Sequence, residues 1–165
     1  MKDARFGLGE NIVPLKAPVD SAGTAYATPW VDLKNALHAT FFYYAGVVTA
    51  TSADQAVVIT MEAATAAASG SEVAIAFKYR LSGATGANTW GDITSATSTG
   101  FSFATTDDGK MVLVDIDPAA LESALADAHF VRMVVGIDAG GTVTLNSAWA
   151  VLEPRYPQLT HISAT

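Results

Sequence analysis

A chain of 165 residues, 50% hydrophobic and only 15% charged, is long enough to bury one core and too apolar for a disordered body. Nine Lys and Arg against sixteen Asp and Glu leave a formal net charge of −7, and the longest basic cluster is Lys78-Tyr79-Arg80; nucleic acid is therefore a poor partner, since affinity for it comes from neutralising several phosphates. The absence of cysteine excludes disulfides and thiolate metal sites, and with Lys2, Asp3 and Arg5 at the start and no stretch near the roughly 18 apolar residues that span a bilayer, neither a leader nor a membrane anchor is expected.

Residues 1–29 mix Gly, Pro, Ala and Thr with isolated apolar residues, Phe6, Leu8, Ile12, Val13 and Leu15. With Pro14, Pro18 and Pro29 interrupting regular structure, the pattern predicts an N-terminal arm that packs on a neighbour through those apolar residues. Residues 30–33 read as a short strand. In 37–48 the odd positions, from Leu37 to Val47, form an apolar face while Phe42 and Tyr44 make the other face partly apolar too. Such a strand should be central, or have its second face covered by another subunit.

Residues 55–63 form the next predicted strand, and 72–82 alternate most cleanly of all, with Val73, Ile75, Phe77, Tyr79 and Leu81 on one side. A flexible connection follows at 83–88, an extended segment at 90–94 and a strand at 101–105. Asp107-Asp108-Gly109 then predicts a tight hairpin into 110–116, because Asp-Gly tolerates positive φ. Asp117-Pro118 is a helix start, N-cap then first helical position, for a short helix over 118–127. Residues 130–138 and 142–152 read as a second hairpin closed at Ala139-Gly140-Gly141, with Val143, Leu145, Trp149 and Val151 sharing the apolar face. From residue 153 onward, Pro154 and Pro157 mark a C-terminal tail.

The expectation is an all-β chain: an antiparallel β-sandwich, jelly-roll-like, over 30–152, with one short helix and extended terminal arms; a closed barrel is its competitor. No internal repeat links the strands. The residues assemble no catalytic, cofactor or metal motif. His38, His129 and His161 lie far apart, and Asp107, Asp108, Asp115 and Asp117 lack the alternating ligands and closing Glu of a calcium loop. Gly7-Leu8-Gly9 and Gly140-Gly141 lack the context of a phosphate loop, and no Gly-x-Ser-x-Gly occurs. Trp30, Phe42, Tyr44, Trp90 and Trp149 could stack on sugars, but core and inter-subunit packing accounts for them more simply.

The segment Trp30-Val-Asp-Leu-Lys-Asn-Ala-Leu-His-Ala-Thr-Phe-Phe-Tyr-Tyr-Ala-Gly resembles the opening strands of small virion structural proteins of tailed bacteriophages, of the capsid cement or decoration type. Phe77-Lys-Tyr-Arg with Trp90-Gly-Asp-Ile-Thr, Val114-Asp-Ile-Asp-Pro-Ala-Ala-Leu and Phe130-Val-Arg-Met-Val-Val-Gly extend the resemblance over about 30–138. It implies a non-enzymatic particle component located on the capsid surface, a homo-oligomer in many symmetric copies, with the major capsid protein as partner and no cofactor. On that reading the candidate partner contacts are Phe6, Leu8, Ile12, Val13 and Leu15 in the arm and Phe42 and Tyr44 on the strand face. A connector, tail or fibre component and a carbohydrate-binding β-sandwich module are the alternatives.

Overall fold

The computed structural model describes residues 10–21, 23–49, 57–68, 70–137 and 141–155. Among the described residues fourteen strands and one helix follow one another: β1 (Asn11–Val19), β2 (Tyr26–Ala27), β3 (Val31–Asp32), β4 (Ala36–Tyr44), β5 (Val48–Thr49), β6 (Val57–Ala64), β7 (Val73–Ile75), β8 (Phe77–Leu81), β9 (Thr94–Ala96), β10 (Phe101–Phe103), β11 (Met111–Ile116), α1 (Pro118–Ala124), β12 (Phe130–Ile137), β13 (Thr142–Val143) and β14 (Asn146–Pro154). Sheet I runs β1-β14-β4-β11-β8-β9; sheet II runs β10-β6-β12-β2, with β3 on β12 and β7 on β6. Every pairing among them is antiparallel. The chain is an all-β antiparallel sandwich, as its alternation predicts.

One core cluster joins the sheets, with Phe41, Tyr43, Val112 and Leu152 from sheet I meeting Ile59, Met61, Met133 and Phe103 from sheet II. Strand β4 lies centrally, between β14 and β11, as expected of a strand with two apolar faces. Helix α1 caps one end of the sandwich: Asp117 accepts a hydrogen bond from the Ala119 N–H, Pro118 occupies the first helical position, and Leu121 is fully buried.

Four expectations are corrected. Residues 11–19 are not an arm but β1, the edge strand of sheet I paired with β14; Pro14 and Pro18 are tolerated because an edge strand leaves one row of backbone groups unpaired. The ribbon 72–82 is not one strand, since β7 pairs with β6 in sheet II while β8, after the exposed Ala76, pairs with β11 in sheet I. Asp107-Asp108-Gly109 does not close a hairpin between neighbours: β10 belongs to sheet II and β11 to sheet I, so the turn is a crossover between layers. The turn chemistry is nevertheless real, with Gly109 at φ +67°, the Asp107 carboxylate accepting from the Ala104 N–H and the Lys110 ammonium, and Asp108 accepting from the Val48 N–H. Finally, β12 and β14 lie in different sheets and form no hairpin; residues 138–140 of the expected turn lie outside the described residues.

The phase of β14 is also reversed. Leu145 sits at φ +51° and breaks the strand from β13, after which Asn146, Ala148, Ala150 and Leu152 point inward and Trp149 and Val151 outward. The reason is volume. Ala148 stands opposite Tyr43 and Ala150 opposite Phe41, so two small residues make room for two large ones between the sheets. Strand β14 extends to Pro154, and the Arg155 N–H donates to the Asn35 carbonyl at 2.8 Å; the expected tail beyond 155 lies outside the described residues.

Candidate docking face

Because side chains alternate across a strand, every outward residue of sheet I lies in a transverse row fixed by strand register. One row reads Pro14, Trp149, Phe42, Leu113, Arg80 from β1 to β8. Phe42 and Trp149 stack face to face, centroids 5.4 Å apart and planes 6° from parallel. The next row reads Ile12, Val151, Thr40, Asp115, Lys78, Ser95, and on the other side Ser147, Tyr44 and Met111 align. The middle of the β1–β14–β4 half is therefore mainly aliphatic and aromatic, bordered at one end by the Glu153–His38 pair, and the β11–β8 half carries Asp115, Lys78 and Arg80. No described element covers it.

Sheet II turns a different face outward. Arg132 donates to Glu62 at 2.7 Å, lies within 3.4 Å of Glu72, and places its guanidinium 4.4 Å over the Trp30 ring. Glu72 is held below the ordinary carboxylate range chiefly by the Gly70 and Glu72 backbone N–H groups, with the Arg132 charge adding to it. These partners satisfy one another, and the cluster reads as surface structure.

The expected partner contacts separate on this geometry. Ile12, 47% exposed, and the half-buried Phe42 and Tyr44 lie on the outer face of sheet I. Val13 and Leu15 do not: each points inward and is all but buried in its own core, because β1 alternates like any sandwich strand. Phe6 and Leu8 lie outside the described residues. Trp149 is the outward aromatic that periodicity missed, since counting it with Val143 and Leu145 placed it on the core side; the signal that could have found it is the Ala-x-Ala spacing of its inward neighbours.

At the end of sheet I nearest α1, a cleft of about 520 Å³ is lined by His38, Phe77, Lys78, Ser95, Asp115 and Ile116 among others. It brings together Ser, His and Asp without the geometry of nucleophilic catalysis. His38 Nε2 is 3.2 Å from Asp115 Oδ1, but Ser95 on β9 is three strands from β4 and so about 14 Å away at ordinary strand spacing. His129 packs at a tilt against Phe130 instead, ring planes 41° apart, and His161 lies outside the described residues. Among the described residues no group of three or more His, Asp or Glu is placed to hold a metal ion, and no helix is long and apolar enough to cross a membrane.

No protein-family model matches the chain. No curated protein sequence matches it either. Among solved structures, a chain from the structure of infectious bursal disease virus Gt strain aligns over 88% of this chain and 41% of its own length, at 11% identity and a TM-score of 0.22. This chain thus spans less than half of that one, and so low a score carries no argument about function.

Proposed function

We propose that this chain is a non-enzymatic virion structural protein, a cement or decoration protein that binds the major capsid protein on the outside of a phage head and stabilises the shell. The observation that supports it is the Pro14–Trp149–Phe42–Leu113 row, an uncharged stripe built around a stacked aromatic pair on a sheet face that no described element covers. A face of that kind loses little hydration when covered and offers a rigid aromatic pair as its anchor. The resemblance in 30–138 supplies the partner class.

The test is co-sedimentation of the purified protein with expanded heads, together with calorimetry of the decorated particles. Binding and a raised shell melting temperature are expected, with Trp149→Ser weakening association at least tenfold while the free protein keeps its own unfolding transition. Unchanged melting with no association would refute the reading. Association with purified tails or connectors instead would assign the face to those assemblies.

A carbohydrate-binding role has one observation in its favour: Trp90, 40% exposed, borders a groove of about 190 Å³ together with Tyr44, Ser82, Thr85 and Thr89. Glycan-array binding abolished by Trp90→Ala would favour that role.

A further inference from the structure

The cleft beside α1 is continuous with the docking face through the Thr40–Asp115–Lys78–Ser95 row, but its chemistry differs from the stripe. Its floor is apolar, made by Ile75, Phe77, Ala96 and Ile116. Asp115 lines it with a geometry set by the chain: Oδ1 faces His38 Nε2 at 3.2 Å and accepts from the Thr40 hydroxyl at 3.2 Å, while Oδ2 has no hydrogen-bond partner among the described residues. Lys78 is directly across the strand pair, yet its ammonium forms no ion pair within 4 Å among the described residues. Asp117, at the cleft's end, caps α1 with Oδ1. Besides His38, the lining carries two carboxylates against one ammonium, and the chain as a whole has a formal net charge of −7. A volume of this size, mostly apolar with a few converging polar groups, is that of a site for a compact ligand.

We infer that this cleft binds an organic cation carried on an apolar stem, its guanidinium or ammonium group on the free oxygen of Asp115 and its stem along Phe77 and Ile116. The form in which a docked shell would present that chemistry is an arginine or lysine side chain, so the assignment of partner rests on the cement reading above. The carboxylate fits the task because the Thr40 hydroxyl and the His38 ring hold it in place before the ligand arrives, and less is lost in ordering it. Lys78 is a competitor across the row, and its long stem can swing aside.

The experiment uses the full chain, labelled with ¹⁵N, titrated with N-acetyl-L-arginine amide and, separately, with the uncharged isostere N-acetyl-L-citrulline amide. The arginine compound is expected to give saturable amide shifts confined to Ala76, Ala96, Ile116 and Ala120, with a Kd on the order of millimolar for so small a fragment. The citrulline compound should bind at least tenfold more weakly. Asp115→Asn should abolish saturation, and Lys78→Met should tighten binding several-fold; localisation of the shifts on the unmodified protein keeps the test independent of how either variant folds. Absence of saturation, or equal response to citrulline, overturns the inference. Head particles separate the two readings: arginine binding without particle binding overturns the cement reading alone, whereas particles bound equally well by Asp115→Asn overturn the cleft as a partner contact.

Discussion

Tyr43 is fully buried between the sheets, and its hydroxyl finds no hydrogen-bond partner among the described residues. An unsatisfied buried hydroxyl costs about 1–3 kcal/mol, so Tyr43→Phe is expected to leave stability unchanged or raise it by about 1 kcal/mol in urea unfolding. Burial, with Tyr26 nearby, also raises the pKa of this phenol well above its ordinary value, and burial alone does the same to Tyr26. The sign follows from linkage. A phenol whose folded pKa lies above its unfolded value favours folding fully below about pH 10 and progressively less above it, because the unfolded chain ionises first. Stability should therefore fall steeply above pH 10, less so in Tyr43→Phe, and an unaltered alkaline profile in the variant would contradict this account. The opposite error of volume is available one strand over. Ala150 lies against Phe41 with no exposure, so Ala150→Leu should cost about 1–3 kcal/mol by overpacking, again read from urea midpoints. Phe42 and Tyr44 were legible as an outward pair from alternation alone, while Trp149 was not: hydrophobicity ranks Trp above Ala for the inside, and only the bulk of Tyr43 and Phe41 on the neighbouring strand decides otherwise.

Strand β1 divides its residues between the core and the outer face of sheet I. Leu15 is part of the core and Ile12 is on the outer face of sheet I, in register with Val151. Leu15→Ala is expected to lower stability by about 2–4 kcal/mol, whereas Ile12→Ala should change it by less than about 0.5 kcal/mol and weaken head binding instead. Equal effects of the two on unfolding would deny the alternation. The prolines that made this segment read as an arm are the same feature that keeps an edge strand from pairing with a further chain. The strands of 72–82 and 101–116 were legible as strands, but not as strands of different sheets, because period-two alternation is the same on either layer. What moves a ribbon from one layer to the other is a local break, such as Ala76 between β7 and β8 or Gly100 before β10; Gly100 is at φ +92°, and a Cβ there would lie 2.3 Å from the Ile59 carbonyl oxygen.

At the scale of the whole molecule those layer crossings bind the sheets into one cooperative unit. The chain passes between them at β1–β2, β3–β4, β7–β8, β9–β10, β10–β11 and β11–β12 among others, and the inward faces of both sheets join in one core cluster. Neither sheet can keep its inward face covered once the other has gone, so partial unfolding would expose the shared core at about 25 cal/mol per Å². Unfolding is thus expected to be two-state. Far-ultraviolet circular dichroism, which follows both sheets, should give the same urea midpoint and the same slope as near-ultraviolet dichroism, which reports the Phe42–Trp149 stack on sheet I and the Trp30–Arg132 contact on sheet II. Refolding should be slow for the chain's size, milliseconds to seconds, because pairs such as β1 with β14 join residues from opposite ends of the described chain and their loop closure must precede any gain in contact. Two separated transitions, with one aromatic signal lost before the other, would show the sheets to be independent units and would remove the rigidity that the proposed docking role calls for.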